Sequence, residues 1–318
     1  MSPSKNTEEQ DPEFLREEID PELAAAAYSN AFKPLDAWVD STGFRTQGLR
    51  HQTLGRFADP RVAEEFLVNT RHLRQDRETE VSIEAYFSGP YTATLEALDQ
   101  EDASEQNEFS LPDGVALRLE LGRVISRRSS GRAYTGDPIE LSYLASIIRS
   151  AAAVTREVKI DTPEKERRLR FRSAPSGGGL YPIELYVGAS AVSGLNPGIY
   201  RYRPRRDSLL RVGGDDSLQR LLKCFSVHEE VITLKRAAVI ALLVGRPWRS
   251  MRKYGPRGLR YVFLEAGAIS QNVHLATQAL GFSSVDCASV VDDEIHDVLN
   301  LDGLYQTLIH VIVIGYAG

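Results

Sequence analysis

The sequence predicts an α/β or α+β protein in which helices cover a central sheet. The runs at 237–244 and 307–315 are short, continuous and apolar, which is typical of strands buried on both faces. Between them, residues 259–282 favour a long helix that stops at Gly281, because apolar residues recur there at alternating spacings of four and three. Those residues are Val262, Ala266, Ile269, Val273, Ala276 and Leu280.

Shorter signals predict the other elements of the C-terminal two-thirds. Asp137, Pro138 and Glu140 have the pattern of a helix start. The far side of the 259–282 helix is also apolar, so we expect that helix to be buried all round. In chain order, the predicted elements are a helix over 135–154, a charged loop over 156–172, a breaker cluster over 173–182, a strand over 183–189 and a hairpin over 198–212.

The first third of the chain is more polar. Residues 1–20 are acidic and predict a mobile tail that leads into a helix. Val62 and Phe66 lie near one face of a second helical segment, and the polar run at 100–110 marks a linker. We therefore predict an N-terminal tail with a helical extension (1–58), a linking helical segment (59–110) and a main domain (111–318).

Composition and charge exclude several classes of function. The 318 residues are 42% hydrophobic and 26% charged, which is ordinary globular composition. A net charge of −6 disfavours nucleic-acid binding by the whole surface. Cys224 and Cys287 are too few for a disulfide framework or a cysteine-rich metal site, and they fit a reducing cytoplasm. No apolar run has the length of a membrane span, and the N-terminus lacks the apolar core of a secretory signal.

Two segments have the composition of an anion or cofactor site. The basic segment, SRRSSGRAY at 126–134, combines guanidinium groups with hydroxyls, which suits a phosphate. The alternative is a solvated basic loop. The cluster PSGGGLYP at 175–182 has three consecutive glycines, which let the backbone approach a planar or anionic ligand. The alternative there is a flexible turn before a strand.

Two further segments carry polar groups beside or inside the long helix. RKYGPRGLRY at 252–261 contains Lys253 and Tyr254, which can pass protons if their pKa values are lowered. The alternative is a basic entrance to that helix, a position that the helix dipole disfavours. Gln271 and Asn272 lie within the apolar helix and need partners, either on a cofactor or on a neighbouring backbone.

Other chemistries lack their residues in this sequence. The six histidines show no metal-ligand spacing, and His72 and His310 are expected to be ordinary helix and strand residues. No GxSxG elbow is present. Cys287 has no histidine nearby in sequence and is expected to be a buried, inert thiol. The acidic run at 292–294 is expected to begin a helix.

Taken in order, these motifs resemble the nitroreductase superfamily and, more narrowly, its SagB-type dehydrogenase branch. The resemblance covers roughly residues 60–318. For the branch it rests on GIYRY at 198–202, the Lys253–Tyr254 pair and the EAG…QN pattern at 265–272. It implies an α+β nitroreductase-like FMN fold with a central mixed sheet flanked by helices, and a homodimer that binds FMN between its subunits.

The resemblance also implies roles for individual residues. The basic segment matches the motif that holds the phosphate, ribityl chain and pyrimidine edge of FMN, with Ser129 replacing the Arg or His often found there. This chain stops at GYAG without the basic C-terminal residues of many members, so Arg257 and Arg260 are the candidates to compensate. Lys253 and Tyr254 match the branch's catalytic signature. The residues implied to bind the cofactor are Arg128, Ser129, Ser130 and Arg132, then Pro175, Ser176, Gly177 and Gly178 against the ring, Asn272 from the other subunit, and Arg257 and Arg260.

The branch's best known task is the oxidation of azoline rings in ribosomally made peptides to thiazoles and oxazoles. The resemblance therefore implies an FMN-dependent dehydrogenase with a peptide substrate. It also implies partners such as a cyclodehydratase of the same pathway. The net charge and the lack of a long apolar run predict no nucleic-acid or membrane partner. The alternatives are a flavin-dependent reductase of dehydroamino acids in a lanthionine-type peptide, a general NAD(P)H nitro or quinone reductase, and a non-catalytic scaffold.

Overall fold

The structure is a computed structural model that describes residues 61–72, 77–86, 107–161 and 166–318. The chain divides into two compact units, one ending at Arg71 and the other beginning at His72. In the first unit the described residues form helix α1 (Arg61–Asn69). The tail and helix predicted within 1–58 lie outside the described residues, and the domain boundaries at 58 and 110 stay predictions.

The second unit contains seven further helices and eleven strands among its described residues. The helices are α2 (Arg77–Tyr86), α3 (Leu121–Arg127), α4 (Leu141–Ala152), α5 (Asp215–Lys223), α6 (Pro247–Tyr254), α7 (Gly258–Ala279) and α8 (Asp292–Leu299). The strands are β1 (Glu108–Ser110), β2 (Ile139–Glu140), β3 (Val154–Asp161), β4 (Glu166–Arg172), β5 (Ile183–Ala189), β6 (Val192–Ser193), β7 (Gly198–Arg203), β8 (Ser208–Gly213), β9 (Val239–Gly245), β10 (Ser283–Asp286) and β11 (Thr307–Gly315). The strands and the hairpin predicted at 183–189, 198–212, 237–244 and 307–315 are confirmed as β5, β7–β8, β9 and β11.

Seven strands form the central sheet in the order β1-β8-β7-β5-β9-β11-β10. Each neighbouring pair in that order is antiparallel. The expectation of a mixed sheet is therefore wrong for these seven strands. Among the described residues, parallel pairing occurs in the small β2–β6 ribbon and at an isolated bridge between Ser130 and Ser284. The class is α+β, because antiparallel neighbours do not require a helix between each pair.

Helices cover both faces of this sheet, and β9 shows the division most clearly. Val239, Ala241 and Leu243 belong to the core that the sheet forms with α4 and α7. The alternate residues Ile240 and Leu242 belong to the core on the other face, with α5 and α8. Successive side chains of a strand point to opposite faces, so a strand covered on both sides is apolar throughout. Among the described helices, none has the length and apolar composition needed to cross a membrane.

The segment expected to be a charged loop at 156–172 is instead most of the antiparallel β3–β4 hairpin. Its many charges obscure the alternation of a strand, in which apolar residues occur on one side of the ribbon, together with Arg156 and Arg167, and the other side is mostly charged. Val158 lies opposite Leu169, while Glu157 forms ion pairs with Arg168 at 3.2 Å and Arg170 at 2.9 Å. Cross-strand pairs of opposite charge stabilise such a ribbon.

The long helix predicted over 259–282 is confirmed as α7, but it is not buried all round. Val262, Ala266 and Ile269 face the core. Phe263 and Leu264, on the other side, are 48% and 68% exposed within this chain. The apolar second face of this helix is therefore a surface feature of the subunit.

Candidate active site

The glycines at 177–179 form a single 3-10 turn in the glycine loop, which we define as residues 176–181. Gly178 has a φ of +69°, a conformation that favours glycine. A Cβ added to Gly178 would lie 2.6 Å from Tyr254 Oη and 3.0 Å from Lys253 Nζ. The structure therefore brings together two motifs that are about 75 residues apart in the sequence.

Lys253 and Tyr254, the Lys–Tyr pair, are the last two residues of α6. The alternative, a basic entrance to the long helix, is wrong for this pair, because both residues belong to α6, which ends before α7 begins. Gly255, with a φ of +56°, starts the turn between the two helices. Both side chains reach Gly178, although consecutive positions on a helix diverge by about 100°. Because α6 ends at Gly255, both side chains of the pair can lie beside Gly178.

Burial acts in opposite directions on the two members of the Lys–Tyr pair. It lowers the pKa of Lys253, because a charged ammonium loses its hydration there. It raises the pKa of Tyr254, and the nearby Tyr261 phenol adds to this effect. The sequence left open whether burial or neighbouring cations would lower the two pKa values: burial does so for Lys253, and a lowered pKa is wrong for Tyr254. Lys253 is therefore the better base, and Tyr254 keeps its proton at neutral pH.

A buried carboxyl group lies beneath the glycine loop. Glu265 on α7 is 2% exposed, and its Oε1 accepts a hydrogen bond from the backbone N–H of Ile183 at 3.2 Å. Burial raises the pKa of Glu265 to about 7, against the opposing effects of the Ser176 hydroxyl, the Ile183 amide, Arg172 and Arg249. Sequence reasoning gave no role to this residue. The available signal was a glutamate between Val262 and Ala266 on the apolar face of the helix.

The basic segment follows α3 and is held in place by its backbone. Gly131 donates its N–H to the Ser284 carbonyl at 3.1 Å, and a Cβ on Gly131 would collide with the Ser283 side chain at 1.8 Å. The buried Tyr134 has its hydroxyl 2.9 Å from the Gly131 carbonyl. Arg132 is exposed. The backbone is fixed while the guanidinium and hydroxyl groups remain available to an anion.

A search against family models matches residues 124–316 to the nitroreductase family. That match covers more than half of the chain. The chain belongs to the nitroreductase family. Members of this family typically bind FMN and are oxidoreductases, and the matched range includes the basic segment, the glycine loop and the Lys–Tyr pair.

Three curated relatives resemble this nitroreductase-family chain. A protein of Methanocaldococcus jannaschii named as a nitroreductase is 32% identical over 194 residues, which cover 61% of this chain and 90% of that protein. The trifolitoxin-processing protein TfxB of Rhizobium leguminosarum bv. trifolii is 26% identical, over 55% of this chain and 47% of its own length. The microcin B17-processing protein McbC of Escherichia coli is 28% identical, over 41% of this chain and 49% of its own length. The matches to both processing proteins thus span about half of each protein.

Solved structures show the same fold. A nitroreductase from Ralstonia eutropha JMP134 superposes with a TM-score of 0.52 at 19% identity, covering 68% of this chain and 92% of that one. A second match is a chain of the E. coli microcin synthetase McbBCD complex with truncated pro-MccB17 bound. It gives a TM-score of 0.51 at 21% identity and covers 82% of this chain and 95% of that one. At these identities the likeness is one of fold.

Three residues that the sequence assigned to the cofactor contact this chain itself. The Asn272 side-chain amide donates to the Ser150 carbonyl at 3.0 Å and ties α7 to α4. Arg257 Nε lies 3.4 Å from Tyr261 Oη. Arg260 is half-buried at the start of α7. The cofactor roles of Asn272, Arg257 and Arg260 stay predictions.

A histidine cluster beside the basic segment was missed by sequence reasoning. Asp286 Oδ1 accepts from Ser270 at 2.9 Å and lies 2.9 Å from His274 Nε2 and 2.6 Å from His310 Nε2. Burial alone would raise the pKa of Asp286, but hydrogen bonds from both histidines hold it well below its usual range. Residues on α7, β10 and β11 meet here, which spacing along the chain does not reveal. In the described part of the chain, no group of His, Cys, Asp and Glu residues is arranged to hold a metal ion.

The site residues fit a flavin mononucleotide in two respects. At Gly178 a side chain would fill the space beside the Lys–Tyr pair, so a planar ring can approach the backbone there. The basic segment offers exposed donors of the kind that bind phosphate. Both regions connect to α7, through Glu265 at one end and through the contact of His274 with Ser284 at the other, 2.7 Å between Nδ1 and Oγ.

Proposed function

We propose that this protein is an FMN-dependent dehydrogenase that oxidises azoline rings to thiazoles or oxazoles in a ribosomally synthesised peptide. The observation that carries the proposal is the convergence of the Lys–Tyr pair on Gly178. Transfer of a hydride to a flavin requires only that the flavin ring be correctly positioned. Oxidation of an azoline also removes a proton from the azoline ring, and that step needs a base. A buried lysine with a lowered pKa is suited to that second task.

The relatives support a peptide as the substrate. TfxB and McbC are both named as toxin- or microcin-processing proteins, and the McbBCD structure holds a truncated pro-peptide. We infer that this chain likewise acts on a peptide, in company with a cyclodehydratase or other modifying enzymes of its pathway. Cys224 and Cys287 are free and buried, which fits the reducing cytoplasm where we place the reaction.

FMN, when bound, supplies the two-electron acceptor for the hydride that leaves the azoline ring. We assign its phosphate and pyrimidine edge to Arg128, Ser130 and Arg132, which offer cationic and hydroxyl donors. Pro175 and the first residues of the glycine loop are assigned to the face of the ring. Ser129 stands where relatives often have a cation, so it adds a neutral hydroxyl.

The chain's own part of the reaction is to move the proton. Lys253, as the neutral amine, takes the proton from the ring carbon next to the carbonyl, while the hydride leaves the adjacent ring carbon. Loss of both makes the ring aromatic. Tyr254 stays a phenol and donates a hydrogen bond that orients the substrate beside Lys253. Its half-buried ring, packed against Tyr261 at 4.8 Å between ring centroids, shields the amine from water.

The decisive test is mass spectrometry of a peptide that carries an azoline ring, incubated with the FMN-loaded protein in air. We expect the peptide to lose two hydrogens. No mass change, together with a gain of two hydrogens by a dehydroalanine peptide in the presence of NADPH, would favour the reductase alternative instead. A protein that binds no flavin would leave the scaffold alternative.

We further propose a homodimer. Phe263 and Leu264 on α7 and Leu121 and Ile125 on α3 are large apolar side chains with 48–68% exposure in the single chain. Helices α3 and α7 pack together, and burying these side chains against a second copy would remove them from water. We expect light scattering to report a dimer, and Leu264→Asp to shift it toward a monomer. A monomeric wild type with full flavin content would contradict the proposal.

A further inference from the structure

Glu265 is a buried ionisable group that the proposed proton transfer does not use. It lies on α7 with 2% exposure, among Val262, Ala266 and Ile269 of the main core. Placing a carboxyl group there costs free energy unless it forms hydrogen bonds. Its contacts therefore indicate what it contributes.

Those contacts lie at the two ends of the glycine loop. Glu265 Oε1 accepts from the N–H of Ile183, just after the loop, and the Ser176 hydroxyl at its start is close enough to the same carboxyl group to favour the carboxylate. Ser176 Oγ in turn accepts from the N–H of Tyr181 at 2.9 Å. One carboxyl group thus joins the beginning and the end of the segment that contains Gly178.

The same carboxyl group is balanced between two protonation states. Within the described residues, Glu265 Oε2 is buried and has no hydrogen-bond partner. The charged groups that act on it are Arg172 from β4 and Arg249 from α6, and both favour the carboxylate against the effect of burial. Ionisation near neutral pH changes Glu265 from a neutral to a charged acceptor, and a charged acceptor makes roughly twice as strong a hydrogen bond.

A second connection runs from this region to the Lys–Tyr pair. Arg249 Nη1 donates to the Tyr181 carbonyl at 3.1 Å, at the end of the glycine loop. Arg249 precedes Lys253 by four residues on α6, so the two occupy the same face of that helix. The end of the loop and the helix that carries the base are therefore held together near Glu265.

We propose that Glu265 is a positioning residue whose ionised carboxylate holds the glycine loop in the arrangement that accepts the flavin, an inference that rests on the proposed FMN-dependent function. Charge-assisted bonds from Ser176 and Ile183 fix the loop backbone around Gly178. When the carboxyl group is protonated, those bonds weaken and the loop is held less firmly. Flavin binding and proton release from Glu265 then favour each other.

The test compares FMN dissociation constants of the wild type and Glu265→Gln at pH 6 and pH 8, measured by quenching of flavin fluorescence. The amide is nearly isosteric and keeps an acceptor for Ile183, but it cannot ionise. The FMN phosphate itself titrates at about pH 6 and affects both proteins equally. The result is therefore the difference between the two proteins in how FMN affinity changes with pH. We expect wild-type affinity to improve by about fivefold relative to the variant between the two pH values.

Two further variants make the result specific. Ser176→Ala removes the partner in the loop and should lose the same pH response while keeping Glu265, and it decides the question if Glu265→Gln fails to fold. Glu157→Gln on the β3–β4 hairpin changes net charge equally and should respond like the wild type. The role of Glu265 would be overturned if the wild type and Glu265→Gln showed the same change of FMN affinity with pH, or if the difference between them had the opposite sign. It would also be overturned if Glu157→Gln lost the wild-type response. If the wild type bound no FMN, the proposed function would be wrong as well. If the pH response were intact but the protein did not oxidise azolines, only the proposed substrate would be contradicted.

Discussion

The basic segment and the Lys–Tyr pair are the two chemically distinctive regions of the molecule, and they differ in their exposure to water. The basic segment presents Ser129, Ser130 and Arg132 at the surface and fixes its backbone through Gly131 and Tyr134. Lys253 is 4% exposed and lies against Gly178. We expect the first region to attract an anion through charges that remain hydrated, whereas in the second the loss of hydration lowers the pKa of Lys253.

This difference predicts how each region responds to perturbation. Hydrated charges are screened by salt, and each one contributes a moderate share of binding. A desolvated amine has a lowered pKa and can therefore act as a base. Its removal should have a large effect on turnover and a small effect on the retention of the cofactor. Substitutions in the two regions should therefore separate turnover from flavin binding.

The largest effect is expected from the Lys–Tyr pair. Lys253→Ala should lower turnover of an azoline peptide by at least about a hundredfold, the usual scale for loss of a general base. Tyr254→Phe should lower it by about as much, because the substrate loses the hydrogen bond that orients it beside Lys253. Flavin absorbance should show that FMN stays bound. Arg252→Ala, an exposed neighbour in the same helical turn, is the matched control and should keep its activity. Wild-type rates in both variants would leave the proposed reaction without its base, and loss of FMN would make the pair structural.

A second prediction concerns the space between the loop and the pair. Gly178→Ala places a Cβ 2.6 Å from Tyr254 Oη, and we expect turnover to fall by about thirtyfold with a weaker flavin complex. Gly179→Ala is the control, because Gly179 has nearly the same φ, +68°, but no atom within 4 Å of the added Cβ. It should show only the cost of backbone strain, about 1 kcal/mol in chemical denaturation. Equal losses in the two variants would assign the effect to strain rather than to contact.

The smallest effect is expected in the basic segment. Arg128→Ala or Arg132→Ala should weaken FMN affinity by about tenfold, as expected for loss of a charge-assisted contact. The loss should shrink as salt is raised, since these groups are accessible to solvent. Arg127→Ala is the control, because Arg127 is the last residue of α3 and is not among the residues assigned to the cofactor. Unchanged flavin content after both substitutions would remove the segment from the cofactor site.

Local sequence patterns predicted much of the fold but not the order of its strands. The apolar runs became β9 and β11, and the helical repeat became α7. The β3–β4 hairpin was mistaken for a loop because charged residues on one side of a ribbon obscure its period of two. Strand order depends on long-range pairing, so the antiparallel sheet could not be read from any one segment.

The candidate site was predicted unevenly for a similar reason. Motif residues such as Gly178 and Lys253 were named from the sequence, and the structure brings them into contact. Glu265 and the cluster around Asp286 were missed, because each depends on elements far apart in the chain. A lowered pKa was one possibility for Tyr254, but burial and the Tyr261 phenol raise it, and burial is a property of the folded chain.

The buried carboxyl group of Glu265 also affects folding stability in the flavin-free protein. Its pKa is about 7 in the folded chain and near 4.5 when unfolded. The folded state therefore binds the proton more tightly, so stability from this group is complete below about pH 4.5 and is lost as pH rises through 7. The cost at higher pH is at most about 3 kcal/mol. We therefore expect this one group to make the flavin-free protein less tolerant of heating above pH 7 than below it, and binding of the proposed FMN to offset that loss.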